Sequence, residues 1–170
     1  MRNILILYDS RYSDIISKYI SLNPEDRYYG IFVNDNLYAN EDNKIINFLS
    51  VNDYLSFDDL SNIDRESINI AKSWYIKSGY DISDFKGISM GRVVEYDIMN
   101  IICQNLKSLI LFEKIIEKEK IDNILISGNN KYFEKSAEII AKNRNLINEK
   151  FYKNANYTNY FNVFRFITDL

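Results

Sequence analysis

Three short stretches of this 170-residue chain hold residues whose types and spacing suit chemistry. Asp9-Ser10-Arg11-Tyr12-Ser13 follows an apolar run. A carboxylate at a strand's carboxyl end can bind a hydroxyl or take its proton; the competing use of Asp9 is as a turn residue or helix cap. Gly87–Glu95 combines two glycines with Ser89, Arg92 and Glu95. The guanidinium suits a phosphate or carboxylate, and Glu95 suits orienting a hydroxyl or acting as a general base. The same Arg92 and Glu95 also read as an i,i+3 pair opening a helix. Ser127-Gly128-Asn129-Asn130 lies between an apolar run and a helical pattern. Backbone N–H groups at such a helix start favour an anionic or hydroxyl-rich ligand, and a tight connection capped by Asn129 or Asn130 is the alternative.

Composition removes several devices. The chain has no histidine and one cysteine, so Ser-His-Asp and Cys-His catalysis and a structural zinc site are excluded. A general base must be Asp, Glu, Lys or Tyr. The chain contains neither Gly-x-Gly-x-x-Gly nor Gly-Lys-Ser/Thr, which argues against a dinucleotide or ATP site. No cofactor and no metal are expected. A net charge of −3 lacks the basic excess of a nucleic-acid binder. Cys103 cannot form an internal disulfide, which suits a reducing compartment, and its place on an apolar helical stripe predicts burial. No run reaches the roughly 18–20 apolar residues of a membrane span, and Met1–Tyr8 is too short for a signal peptide. A cytoplasmic protein is expected.

These groups need elements to position them. Asn3–Tyr8 is continuously apolar, as in a strand buried on both faces. Ser13 caps a helix with Ile15, Ile16, Tyr19 and Ile20 on one side, ended by Asn23-Pro24. Arg27–Val33 and Ile45–Val51 read as strands, with a turn at Asn34-Asp35-Asn36 between them. Asn52–Lys77 is helical, with a break at Asn62-Ile63, Asp64 capping the second piece, and Ser78-Gly79 as the stop. Ile70, Ala71 and Trp74 share a face, which favours core packing for Trp74 over a sugar or partner surface. Asp81–Ser89 reads as loop. Gly91–Lys120 is one long helix with room for a bend near Asn105, and its Glu113–Lys120 charge run reads as a solvated end. Asn123–Ser127 is a strand and Lys131–Asn143 a helix; after Leu146 no period is legible. This order predicts one α/β domain over residues 1–170, a three-layer α/β/α sandwich around a mostly parallel, Rossmann-like sheet. The apolar ending suggests the first half of a longer two-domain protein.

Asn3–Tyr8, Gly-Ile-Ser-Met-Gly-Arg-Val-Val-Glu (Gly87–Glu95) and the long helix entering Glu-Lys-Ile-Asp-Asn-Ile-Leu-Ile-Ser (Glu119–Ser127) resemble the N-terminal domains of GT-B-type glycosyltransferases of surface-polysaccharide synthesis. Ile121-Asp122 stands where Pro-Asp is commoner in those domains. The resemblance implies an acceptor-binding domain for a glycan or lipid-linked sugar. A second domain, not in this chain, would bind the nucleotide sugar. It also implies acceptor and base groups in loops at strand carboxyl ends, which here hold Asp9, Ser10, Asp35 and Ser127–Asn130. Many such enzymes use a histidine base, which this chain lacks. The rival readings are a non-catalytic Rossmann-like binding or assembly module, which would recognise a small polar ligand or a protein partner through a tyrosine-rich surface, and a flavodoxin-like or nucleotide-binding enzyme; a homo-oligomer is a further expectation. The missing phosphate fingerprint opposes the flavodoxin-like or nucleotide-binding reading.

Overall fold

A computed structural model of the protein describes residues 1–32, 45–127 and 131–151. Its elements are β1 (Asn3–Tyr8), α1 (Ser13–Leu22), β2 (Arg27–Phe32), β3 (Ile46–Phe48) and α2 (Phe57–Ser73). Two small hairpins follow, β4 (Ile76–Lys77) with β5 (Tyr80–Asp81) and β6 (Asp84–Phe85) with β7 (Ile88–Ser89). Then come α3 (Met90–Val93), α4 (Glu95–Glu119), β8 (Asn123–Ser127), α5 (Lys131–Arg144) and β9 (Ile147–Phe151).

The five longer strands form one sheet in the order β3-β2-β1-β8-β9, and every pairing in it is parallel. β1 is central because Ile4–Tyr8 are buried and apolar on both faces. Ile4, Ile6 and Tyr8 pack with Ile16, Tyr19 and Ile20 of α1. Leu5 and Leu7 face the opposite layer, where Leu111, Phe112, Ile115 and Ile116 of α4 meet Ala137, Ile140 and Ala141 of α5. The expected three-layer α/β/α arrangement with a parallel, Rossmann-like sheet is what the chain adopts. β9 was not legible because its sequence, Ile-Asn-Glu-Lys-Phe, carries polar side chains that an edge strand tolerates. Lys150 on it reaches Glu134 and Glu138 of α5, one helical turn apart.

Two expectations for the middle of the chain are corrected. The third strand spans only Ile46–Phe48, and α2 starts later than Asn52 and passes unbroken through Asn62-Ile63. Its cap is Ser56 rather than Asp64. The Ser56 hydroxyl accepts from Asp59 N–H at 3.2 Å, and the Asp59 carboxylate accepts from Ser56 N–H at 2.8 Å. α4 also runs without interruption past Asn105.

α2 and α4 lie antiparallel. Lys114 pairs with Asp59 near one end, Cys103 donates to Asp64 midway, and Tyr75 donates to Glu95 at the other end. α2 buries only Ile63, Ser67 and Ala71, a narrow stripe of one side. The small Ser67 and Ala71 let the two helices approach closely. α4 is buried only from Ser108 to Ile116. At about 1.5 Å per residue, Ser108–Glu119 matches the roughly 17 Å length of β8. Glu95–Lys107 therefore adds about 20 Å of helix that carries no fully buried residue. With the second half of α2 and the two hairpins it makes a projecting arm.

The charge run at the end of α4 fastens the body half of this helix to its neighbours rather than only facing solvent. Tyr54 donates to Glu119 at 2.7 Å, Arg144 of α5 donates to Glu117 at 2.7 Å, and Lys118 lies 4.5 Å from the Tyr54 ring centroid. Lys114 and, next, Ser56 hold the Asp59 carboxyl down at about 2, below its ordinary 3.8. A depressed carboxyl adds stability above its unfolded value and loses it as pH falls through the folded value. Asp59→Asn should melt at a lower temperature than the parent at pH 6. The gap should close as the pH is lowered from about 4 to about 2, read by calorimetry across that range.

Candidate functional site

The chain leaves β1 through α1 on one face to reach β2, and reaches β8 from α4 on the other face. β1 and β8 are neighbours, paired from Ile4 with Asn123 to Leu7 with Ile126. Their carboxyl ends therefore flank the topological switch point, where open α/β sheets bind ligands.

Tyr8 and Asp9 stand at the end of β1 and Ser127 at the end of β8, and Asp9 and Ser127 are both buried. The Ser127 hydroxyl donates to the Leu7 carbonyl at 2.7 Å and accepts from Asp9 N–H at 3.3 Å. It thus joins the strands where their ladder ends. The Asp9 side chain is 0 % exposed. Its carboxylate accepts from Arg11 N–H at 3.0 Å and from Arg11 Nε at 2.9 and 3.1 Å, with a further bond from Arg11 Nη2. Asp9 caps a single 3-10 turn, Ser10–Tyr12, whose last N–H returns to the Asp9 carbonyl at 2.9 Å. The cap reading of Asp9 is correct, and it coexists with a charged pair at the crevice.

Arg11 is the residue that sequence reasoning passed over. Its side chain is 50 % exposed, and hydrogen bonding to Asp9 raises its already high pKa. A guanidinium held on one side by a buried carboxylate and open on the other is a fixed cation for an anionic or hydroxyl-bearing ligand. The signal was present as a cation two positions after the strand-end carboxylate. Ser10 is partly exposed beside it. Asp35, Gly128, Asn129 and Asn130 lie outside the described residues.

Ser89, Arg92 and Glu95 do not join this group. They sit on the arm, and Glu95 is about 20 Å along α4 from the helix's first buried residue. Here Ser89 caps α3, its hydroxyl accepting from Arg92 N–H at 3.2 Å. Glu95 accepts from the Tyr75 hydroxyl at 3.1 Å. Burial first, and then the Glu95 carboxylate, raise the Tyr75 pKa. The neighbouring Asp81 accepts from Ser83 N–H and Oγ at 2.8 and 2.6 Å, and the Ser83 hydroxyl bond lowers its pKa. Ser83 Oγ in turn accepts from Gly91 N–H at 2.7 Å. This network orders the arm tip. It relies on two hairpins that correct the sequence expectations: α2 ends at Ser73, so Ile76–Lys77 is strand rather than helix and Ser78-Gly79 is a hairpin turn rather than a helix stop, and Asp81–Ser89, expected as loop, holds the second hairpin. Ser78-Gly79 and Lys86-Gly87 have positive φ at both positions (52° and 83°, 55° and 81°), as two-residue hairpin turns of type I′ require.

The aromatic pair at the arm is also reversed from expectation. Tyr75 is the buried member at 4 %, while Trp74 is 45 % exposed and meets the Tyr75 ring edge-on at 5.7 Å. The reason is Gly91. A Cβ there would stand 2.1 Å from Tyr75 Cγ, so the glycine makes the space that the ring fills. Cys103, expected in the core, is only partly buried between α2 and α4, and burial with Asp64 nearby raises its thiol pKa.

Among the described residues no group of acidic or cysteine side chains is arranged to hold a metal ion, and no helix is long and apolar enough to cross a membrane. Comparison with protein-family models, curated proteins and solved structures finds no match to this chain.

Two substitutions separate the two groups. Ser127→Ala should cost about 1–3 kcal/mol in denaturant melts, because it removes the buried hydroxyl that bonds both the Asp9 N–H and the Leu7 carbonyl. Gly91→Ala should destabilise by about 1–3 kcal/mol or more through overpacking against Tyr75. Its signature is protease cleavage within residues 74–96 while the circular dichroism of the body is retained.

Proposed function

We propose that the protein is an acceptor-side binding domain of glycosyltransferase type, receiving a hydroxyl-rich ligand at the crevice between β1 and β8. The observation that carries this reading is the buried Asp9 carboxylate locked to the half-exposed Arg11 at the switch point. Carboxylate and guanidinium side by side offer an acceptor and a donor fork, the combination that sugar hydroxyls and sugar acids use. The order of sequence motifs that resembles GT-B N-terminal domains adds the reaction class. In that reaction a nucleotide sugar would sit on another domain.

Within this reading the roles divide by position. Asp9 is the candidate to accept the proton of the attacking hydroxyl. The chemistry requires Arg11 to turn away from one carboxylate oxygen, which its exposed side chain permits. Arg11 then contacts an anionic group of the acceptor, and Ser10 contributes a hydroxyl beside it. Glu95, engaged with Tyr75 on the arm, is not assigned a proton-transfer role.

Titrating the 15N-labelled protein with neutral saccharides, uronic acids and sugar phosphates checks this assignment. At least one saccharide should shift the amide signals of residues 8–13 and 127. Arg11→Ala should weaken that binding about 10-fold, the loss of one charge-assisted contact. Saccharides that leave those signals unmoved would remove the assignment.

A further inference from the structure

The arm tip exposes more apolar surface than a free surface usually carries. Tyr80, Ile82, Phe85, Ile88, Val93 and Tyr96 are each between 58 and 78 % exposed. Phe85 and Ile88 face each other across the second hairpin, and Val93 and Tyr96 lie three residues apart where α3 gives way to α4. Each hairpin has only two residues per strand, too few to cover its own side chains. Six such residues between Tyr80 and Tyr96 are a denser run of exposed apolar and aromatic side chains than the scattered single ones of an ordinary surface.

We propose that the arm tip is a self-association surface, through which two copies of this chain pair tip to tip about a two-fold axis. Charge selects this occupant. From Trp74 to Tyr96 the chain carries Lys77, Lys86 and Arg92 against Asp81, Asp84 and Glu95. Equal numbers of both signs let the same patch face itself with opposite charges matched, as an isologous contact demands. A nucleic acid or an anionic membrane would select a basic excess, which the tip lacks. The tip is also ordered before any partner arrives. The Gly91 amide to Ser83, Ser83 to Asp81 and Tyr75 to Glu95 bonds fix both hairpins against α3 and α4, so association orders few further side chains. This inference stands apart from the strand ends of β1 and β8, since none of the residues from Tyr80 to Tyr96 belongs to them.

Sedimentation equilibrium of the full 170-residue chain across about 1–200 μM tests it. A monomer–dimer equilibrium is expected in that range. Phe85→Asp with Ile88→Asp, and separately Tyr96→Glu at the start of α4, should each weaken it at least 100-fold with the melting temperature of the body unchanged. A chain that stays monomeric throughout, or a dimer indifferent to both variants, would overturn the proposal. So would a monomer that co-floats with phosphatidylglycerol vesicles, which would give the tip to a lipid surface.

Discussion

The structure depends on the union of β1 with β8. The two strands are 118 residues apart where Asp9 N–H meets the Ser127 hydroxyl, and they are fastened at both ends. At the amino end Asn3 N–H donates to the Asp122 carboxylate at 2.8 Å while Asp122 N–H donates to the Asn3 carbonyl at 2.8 Å. At the carboxyl end Ser127 bonds both Leu7 and Asp9. Between these clasps the parallel ladder fixes register, and register decides which side chains face which helix layer. A slip of one residue would turn Leu5 and Leu7 toward α1 and leave α4 without its core. The crevice exists only because these two strands end side by side.

The arm follows from the same constraint. The connection from β3 to β8 must cross the sheet and return to its amino edge, and α4 makes that return. A helix of twelve residues would suffice, but α4 has 25. The excess cannot lie on the sheet, so it needs another surface, and the antiparallel α2 supplies one through Ile63, Ser67 and Ala71. This pairing leaves the outer faces of both helices and the hairpins uncovered. Core packing in the body and polar networks in the arm are thus separate means of order. The body is held by apolar side chains on both faces of β1, and the arm tip by hydroxyl and carboxylate bonds around Ser83 and Tyr75.

Much of the body was legible in the sequence because burial on both sides leaves a plain mark. Asn3–Tyr8 and Asn123–Ser127 are built on the apolar runs Ile4–Tyr8 and Ile124–Ile126, and both are strands with the expected bounds. The helix from Ser13 was equally plain, since its stripe faces a single layer. Errors gathered where periodicity carries no information. The hairpins are marked only by Ser-Gly and Lys-Gly, with strands too short to show alternation. β9 has polar residues because it is an edge. Trp74 and Tyr75 exchanged places because the deciding contact comes from Gly91, which no helical wheel of α2 contains. At the crevice Asp9 and Ser127 were readable as strand-end residues. Their hydrogen bond was not, nor was Arg11, because nothing local shows which cation will turn back onto Asp9.

The distance between β1 and β8 also sets an order of events during synthesis. β1, α1 and β2 are the first elements to emerge, and helices form within microseconds. The side of β1 that bears Leu5 and Leu7 must then stay bare until α4 and α5 are made. At typical rates of translation that interval is roughly 10 s. The zipped helices, closed by Lys114 on Asp59 across only 55 residues, shorten the remaining span to be closed by about half, a relief of about 0.6 kcal/mol. That gain is small beside the length of the wait. The nascent first third of the chain is therefore the form most exposed to holding chaperones.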